Sequence, residues 1–333
     1  MAVYTHLGAE QLGELIAHYG VGELISAKGI AEGVSNSNWL IETDGVPGSR
    51  TRKLGQSERF ILTMYERRIE LDDLPYFLGL LDHLAASDCP VPRTIHDRDG
   101  ASFRIVDGKA VALIEFMPGI SPTRPSSQQA RALGSVLAKL HRASQDFKLT
   151  RKTTMGPADV LGIFENCGED RLAAIDPDLA EMLEASRMLA ALDTSGLPRS
   201  NIHADLFPDN VLMLGYRVAG LIDFYFACTD IMVYDLAVTH AAWCFDQTGR
   251  YIDPQRSKAL IEGYQSVREL TAEERDLLPQ VAQAASLRFA ASRAEDWLST
   301  PEDALVTRKN PMEFVRRYHT YAEAGAAAFA FAD

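Results

Sequence analysis

The chain has few cysteines, and none is arranged for a disulfide framework or a structural zinc site. There are four among 333 residues, Cys89, Cys167, Cys228 and Cys244, and no two form a C-x-x-C pair. Disulfide scaffolds and structural zinc sites need paired or clustered cysteines. We therefore expect four reduced thiols in a cytoplasmic protein.

Long apolar runs and an excess of basic residues are also lacking. The longest apolar stretches, around residues 236–245 and 324–332, fall well short of the ~20 residues that span a bilayer, and the N-terminus lacks the pattern of a signal peptide. Lys and Arg total 33 against 46 Asp and Glu, a net charge of −13. This balance disfavours a nucleic-acid or anionic-membrane partner. A monomer and a homodimer both stay open.

What is present is an ordinary globular composition, 47% hydrophobic, with a length typical of about two structural units. Residues 1–116 predict a small antiparallel sheet with two helices. Strand patterns occur at 23–30, 38–43, 59–65, 102–106 and 110–116, and helical stripes at 5–20 (with Thr5 as a plausible cap) and 74–86. Asp107 and Gly108 form a hairpin signal between the last two strands.

Residues 117–333 predict a larger, mainly helical unit. Helical patterns occur at 128–147, 178–192, 257–267, 272–285 and 286–297, and short apolar runs at 210–214 and 218–224 predict a β-pair. The fold class is therefore α+β with two lobes. Ligands usually sit in clefts between such lobes.

The most informative motif is His203-x-Asp205-x-x-x-x-Asn210, followed 18 residues after Asp205 by Asp223. Phosphoryl transfer from ATP needs one carboxylate near the attacking hydroxyl, and oxygen ligands that hold Mg²⁺ on the triphosphate. We interpret Asp205 as the catalytic residue, and Asn210 and Asp223 as ligands of Mg²⁺. His203 and Asp235 are interpreted as structural support, Asp235 as a buried carboxylate that must find donors.

This pattern resembles the protein-kinase signature, with Ala204 in place of its Arg and Tyr225 in place of its last Gly. A small residue at this position, between His203 and Asp205, is typical of the aminoglycoside phosphotransferase/choline kinase branch of the kinase-like superfamily, which the motif therefore resembles. Within that branch, several stretches resemble bacterial homoserine kinases of the ThrB type: 29–38, 61–66, 73–75, 203–207, 222–227, 242–245 and 263–268. Relative to those kinases, only the loop at 44–58 and the Ala-rich tail look like additions of this sequence.

The resemblance implies a protein-kinase-like fold, with a nucleotide-binding lobe at 1–116 and a catalytic and substrate lobe at 117–333. It implies ATP and Mg²⁺ as cofactors, and L-homoserine as the acceptor that becomes O-phospho-L-homoserine in threonine biosynthesis. Kinases of choline, ethanolamine, an aminoglycoside or methylthioribose are alternatives, and a non-catalytic nucleotide-binding protein is another.

Residues 32–38 are the candidate phosphate loop, because Gly33 allows close backbone approach and Ser35, Asn36 and Ser37 offer donors to phosphate oxygens. A plain hairpin turn is the alternative reading. The adenine is expected against the connection at 115–117, with Glu115 and Met117 as contacts.

One position departs from the kinase pattern. Kinases place a Lys on the third strand to hold the α- and β-phosphates, and here the corresponding residue is Thr63. Thr63 motivates the non-catalytic alternative, although the intact motif at 203–223 weighs against it. Lys28, Arg67 and Arg68 are possible substitutes for the missing cation.

A homoserine pocket needs a cation for the α-carboxylate, and the planar fork of Arg binds both oxygens. Arg293 lies on a helical face with Phe289 and Trp297, and Arg288 is a second candidate. A structural ion pair of Arg293 with Asp296 or Glu295 is the alternative.

Overall fold

A computed structural model of the chain describes residues 7–30, 36–45, 57–66, 69–300 and 308–331. The chain divides into two compact units, Met1–Pro118 and Gly119–Asp333. The division lies two residues after the one expected from the sequence. The predicted Thr5 cap and most of the 44–58 loop lie outside the described residues.

The first unit is built on one antiparallel sheet with the strand order β1-β2-β3-β6-β4, and β5 pairs with β6. Helix α1 precedes the sheet, and α2 lies between β3 and β4 in the chain. The bounds are α1 Ala9–Ala17, β1 Leu24–Ile30, β2 Asn36–Thr43, β3 Glu58–Tyr65, α2 Leu74–Ala86, β4 Thr94–Ile95, β5 Arg104–Val106 and β6 Lys109–Glu115.

The core of this unit lies between α1 and one face of the sheet. Leu12 and Ile16 of α1 pack in one buried cluster with Trp39, Leu62 and Val111 of the strands. Alternate residues of a strand point to the same face, so a single helix can cover an apolar face made by β2, β3 and β6.

The predicted hairpin turn is present between β5 and β6. Asp107 and Gly108 both adopt positive φ, 51° and 79°, as a two-residue type I′ turn requires.

The second unit contains eight helices and two short strand pairs among its described residues. The strand pairs are antiparallel, β7 with β10 and β8 with β9. The bounds are α3 Ser127–Ala143, α4 Pro157–Cys167, α5 Glu169–Ile175, α6 Pro177–Ala190, β7 Arg199–Ile202, β8 Val211–Leu214, β9 Arg217–Leu221, β10 Cys228–Ile231, α7 Met232–Trp243, α8 Pro254–Gln265, α9 Ala272–Ser299 and α10 Met312–Ala324.

Helices α3 and α8 cross at a distance that only glycine allows. A Cβ on Gly134 would lie 2.2 Å from the Leu260 carbonyl oxygen, and one on Gly263 would lie 2.1 Å from the Arg131 carbonyl oxygen. The two glycines therefore let the backbones approach each other directly. This crossing brings His141 of α3 close to Tyr264 of α8.

Two sequence expectations need correction. The helices predicted at 272–285 and 286–297 are one 28-residue helix, α9, because residues 285–291 are buried on every side and leave no single apolar stripe to follow. The strand predicted to reach Phe224 ends at Leu221, because Asp223 adopts a left-handed conformation that a strand cannot accommodate.

In the part of the chain that the structure describes, no helix has both the length and the apolar character needed to cross a membrane. All four cysteines are buried and free.

Candidate active site

The loop that follows β7 is held from below by one carboxylate of α7. Asp235 Oδ2 accepts a hydrogen bond from the backbone N–H of His203 (2.7 Å), and its Oδ1 accepts one from the N–H of Ala204 (2.9 Å). Ala204 has φ +62°, a conformation that costs energy for a residue with a Cβ. The bidentate contact with Asp235 therefore stabilises a strained loop.

Asp235 is fully buried, and its environment keeps it charged. Burial alone would raise the pKa of Asp235. The hydrogen bond from His141 (Nε2 to Oδ2, 3.1 Å) and the donors of the loop instead hold that pKa below its usual range. His141 Nδ1 is also 2.8 Å from the Tyr264 hydroxyl, so the crossing of α3 and α8 orients the imidazole. The predicted role of Asp235, a buried carboxylate bonded to the backbone, agrees with these contacts.

His203 joins the two segments of the motif. Its Nε2 donates to the Ile222 carbonyl oxygen (2.9 Å), and its Nδ1 accepts from the Asp205 N–H (3.2 Å). The ring packs against Phe224, with 4.5 Å between centroids. Both nitrogens are therefore occupied, and His203 positions Asp205 relative to the strand that leads to Asp223.

Asp205 and Asn210 contact each other directly. The Asn210 Nδ2 donates to the Asp205 carbonyl oxygen (2.7 Å) and to the Asp205 Oδ2 (3.2 Å). Since both hydrogen bonds use the amide nitrogen, the amide oxygen of Asn210 is available to a ligand. The Asp205 Oδ1 lies 3.9 Å from Arg288 Nη2.

Asp223 is brought to Asn210 by the β8–β9 ladder. The Ile222 N–H donates to the Asn210 carbonyl oxygen (3.0 Å), one step beyond the pairing of Val211 with Leu221. Asp223 follows with φ +66°. The residue as a whole is exposed, but the protein packed around its carboxyl group and the nearby Asp205 charge raise its pKa to about 6.

The site concentrates negative charge. The charges of Asp205 and Asp209 both act on Asp223 to raise its pKa, so these carboxylates repel one another. A divalent cation held by Asp223 and the Asn210 oxygen would offset this repulsion. Among the described residues, no group of three or more His, Cys, Asp or Glu side chains is suited to a metal. Two protein oxygens suit Mg²⁺, which fills its other positions with phosphate and water.

The two arginines predicted for the substrate differ in their contacts. Arg288 is buried, hydrogen-bonds the Ala204 carbonyl oxygen and stacks on Phe226 and Phe289, with 4.8 and 4.4 Å to the ring centroids. It thus braces the loop beside Asp205. Arg293 forms an ion pair with Glu313 (2.8 Å). The acid is on α10 rather than at the sequence-adjacent Asp296 or Glu295, because α9 and α10 pack together.

Only part of the predicted nucleotide contacts lies in the described residues. Gly33 and Ser35 lie outside them. Asn36 and Ser37 are buried at the start of β2, and the Ser37 hydroxyl donates to Glu66 (2.6 Å). Glu66 also forms an ion pair with Lys109. These residues stay predictions as phosphate contacts.

The connection at 115–117 and the third strand are described as well. Glu115 ends β6 and pairs with Arg93 (3.1 Å), and Met117 follows the strand. The Thr63 hydroxyl donates to the Asn38 side-chain oxygen (2.8 Å), so it is used within the sheet. Lys28 lies on β1, and Arg67 and Arg68 lie outside the described residues.

Sequence reasoning missed helix α10 and its contribution. Phe314 packs on Phe207, with 6.0 Å between centroids, and on Phe289 at 4.9 Å. Arg317 lies over Phe314 at 4.1 Å. The buried stripe of α10, Phe314, Val315, Arg317 and Tyr321, was the available signal, and the buried arginine within it hides the helical period.

With the fold and geometry in place, comparison with known proteins identifies the class. A profile of the phosphotransferase enzyme family matches residues 26–270. Among solved structures, the amicoumacin kinase hAmiN superposes with a TM-score of 0.70 at 12% identity, covering 96% of this chain and 95% of that one. The spectinomycin phosphotransferase APH(9)-Ia gives 0.65 at 16% identity, covering 97% and 100%. These likenesses show the kinase-like fold.

Curated relatives define a narrower group. The homoserine kinase of Acidiphilium cryptum is 41% identical over 329 residues, 98% of this chain and 99% of its own. That of Granulibacter bethesdensis is 42% identical over 319 residues, 95% of each. The chain belongs to the phosphotransferase enzyme family and, within it, to the group formed by these homoserine kinases.

Proposed function

We propose that this protein transfers the γ-phosphoryl group of ATP to the hydroxyl of L-homoserine, in threonine biosynthesis, and uses Mg²⁺. The observation that supports the chemistry is the hydrogen bond of Asn210 to Asp205, together with the backbone ladder that puts the segment of Asp223 beside that of Asn210. The acceptor is supported by relatives named homoserine kinase over nearly the whole chain.

The donor set fits Mg²⁺. The amide oxygen of Asn210 and the carboxylate of Asp223 would hold the ion, which supplies charge neutralisation of the β- and γ-phosphates when bound. The nitrogen of Asn210 is fixed by Asp205, which aims its oxygen away from Asp205. Asn210 therefore bonds Asp205 through its nitrogen and keeps its oxygen for the metal. Asp205 is left to meet the acceptor hydroxyl.

Asp205 orients the acceptor hydroxyl and accepts its proton as the oxygen attacks. Its carboxylate is oriented by Asn210 and lies near Arg288, so the residue is placed before the substrate arrives. Attack by the hydroxyl on the γ-phosphorus is direct and in line, without a phospho-enzyme. His203 and Asp235 support the loop and move no proton.

On the nucleotide side, we assign residues 32–38, with Gly33, Ser35, Asn36 and Ser37, to the phosphates. Residues 115–117, with Glu115 and Met117, are assigned to the adenine. Backbone N–H groups of a glycine-containing turn suit phosphate oxygens.

A panel of acceptors in an assay of ADP release tests the proposal. Homoserine, choline, ethanolamine, methylthioribose and an aminoglycoside are compared at equal concentration with Mg²⁺ and ATP. We expect turnover with homoserine and O-phosphohomoserine as the product by mass spectrometry. Turnover of another alcohol with none of homoserine would disprove the assignment, and ATP binding without any turnover would favour the non-catalytic alternative.

A further inference from the structure

The backbone around Asp205 is held by side chains rather than by a helix or a sheet. Residues 203–207 lie between the end of β7 and the short turn at Pro208–Asn210, outside the helices and strands. Three consecutive carbonyl oxygens of this segment accept hydrogen bonds from side chains. The pairs are Arg288 with Ala204, Asn210 with Asp205 (2.7 Å) and Trp243 with Leu206 (3.0 Å). The direction of the backbone at Asp205 therefore depends on these donors.

Trp243 is the donor of this set whose role the sequence did not indicate. It is the last residue of α7, and its side chain is completely buried. An indole has one donor, Nε1–H, and a buried Trp usually pairs it. Here the acceptor belongs to Leu206, which is also fully buried and directly follows Asp205. A buried carbonyl that loses its donor keeps its desolvation cost, so this bond fixes one point of the loop.

The same helix holds the backbone on the other side of Asp205. Asp235, in the first turn of α7, accepts the N–H groups of His203 and Ala204 (2.7 and 2.9 Å). Asp235 and Trp243 are eight residues apart, which is about 12 Å along a helix at 1.5 Å per residue. Helix α7 therefore fixes the backbone before Asp205 with a carboxylate and the backbone after it with an indole.

Trp243 can be separated experimentally from the other two donors. Asn210 also hydrogen-bonds the Asp205 carboxylate (3.2 Å), and Arg288 lies 3.9 Å from it. Replacing either one would change the surroundings of the carboxylate directly. Trp243 meets the loop at Leu206 instead, so removing its donor alters the placement of Asp205 and leaves both neighbours of the carboxylate present.

We propose that Trp243 positions Asp205 for the acceptor hydroxyl, and that it acts through the Leu206 carbonyl oxygen. This inference rests on the proposed function. In-line transfer requires the carboxylate, the hydroxyl and the phosphorus to be aligned, and a misplacement of about 1 Å can cost ~100-fold in rate. Because the indole is fully buried, we expect it to govern the rate of transfer and not the binding of homoserine or ATP.

An isostere removes the donor and keeps the shape of the side chain. Replacing Trp243 by β-(3-benzothienyl)alanine puts sulfur in place of Nε1–H within the same bicyclic ring. We expect the single-turnover rate constant of phosphoryl transfer to fall roughly 10-fold, with the KM for homoserine and for ATP within about twofold of wild type. Trp243→Phe also removes part of the ring, so it should slow transfer at least as much and melt lower than the isostere variant.

The matched control is the same replacement at Trp39, a buried indole that packs in the core between α1 and the sheet. It should leave the transfer rate unchanged. For the Trp243 isostere, a lower melting temperature with an unchanged transfer rate would make the bond purely structural and overturn the inference. A raised KM with an unchanged rate would overturn it as well.

The remaining outcomes are also decisive. Should the isostere variant not fold, Trp243→Phe is measured in its place, and an unchanged transfer rate rejects the inference. Wild-type protein that does not phosphorylate homoserine would instead overturn the proposed function.

Discussion

The loop at residues 203–210 and the aromatic cluster (Phe207, Phe245, Phe289 and Phe314) each lie against a buried charge. The two charges differ in their hydrogen-bonding partners. Asp235 beneath the loop is bonded by two backbone amides and by His141. Arg317 in the cluster has two buried nitrogens without partners among the described residues. A buried charge with partners fixes geometry, and a buried charge without hydrogen-bonding partners keeps its desolvation cost. The comparison thus separates a charge that positions a loop from one that only aromatic rings and neighbouring charges surround.

The largest expected effect comes from Asp205, the carboxylate that we propose as the proton acceptor. Asp205→Asn keeps the shape of the side chain and removes the proposed proton acceptor. The kcat should therefore fall roughly 10³-fold, within the range that removal of a general base usually gives. Binding of Mg-ATP, measured by calorimetry, should change little. A variant with unchanged turnover would remove Asp205 from the chemistry.

The support beneath the loop should matter for stability as well as rate. Asp235→Asn leaves His141 and the loop amides with a poorer acceptor, so the free energy of unfolding should fall about 3–5 kcal/mol, as for other broken buried pairs. Urea denaturation measures this loss. Asp276→Asn, on the exposed face of α9, is the control and should cost under about 0.5 kcal/mol. Equal midpoints for the two variants would show that Asp235 does not hold the loop.

A buried histidine beside the aromatic cluster predicts acid sensitivity. His240 lies between the Tyr321 and Ser257 hydroxyls, and burial lowers its pKa to about 3, against about 6.5 unfolded. Between these values the unfolded chain binds one more proton. Stability present above pH 6.5 is therefore lost as the pH falls, by about 1.4 kcal/mol per unit from this group.

His240→Asn should reduce the slope of unfolding free energy against pH between 6 and 4 relative to wild type, whatever its effect at pH 8. Urea titrations at four pH values check this. Equal slopes for wild type and His240→Asn would contradict a buried, neutral His240 in the folded protein.

The smallest effect concerns the third strand of the first unit. Thr63→Val removes a hydroxyl that is already bonded to Asn38, so stability should fall about 1 kcal/mol. Because that hydroxyl is used within the sheet, the KM for ATP should stay within about twofold. A large rise in this KM would instead make Thr63 a nucleotide contact.

Helix α2, which has a clear apolar stripe, was predictable from the sequence, and helices buried on all sides were not. Helix α2 has the predicted bounds, because its stripe includes Phe77, Leu81 and Leu84. Helix α7 is buried almost throughout, from Met232 to Trp243, so no period marks it. The middle of α9 likewise lacks an apolar period, and for that reason the sequence predicted two helices where there is one.

The loop motif was predictable because its spacing is local, and the β-pair between Asn210 and Asp223 was confirmed. The partner of Arg293 was not predictable, and neither was the lack of a hydrogen-bonding partner for the Nε and Nη1 of Arg317 among the described residues. Both depend on how α10 packs against α9, and no local spacing encodes a missing partner.

The central claim is that Asn210 and Asp223 hold the metal while Asp205 faces the acceptor. Crystals grown with Mn²⁺ and a non-hydrolysable ATP analogue test it by anomalous scattering. The account predicts a metal peak within about 2.0–2.3 Å of the Asn210 Oδ1 and an Asp223 oxygen, with Asp205 not coordinated. A metal bound by Asp205, or away from either of the other two residues, would contradict it.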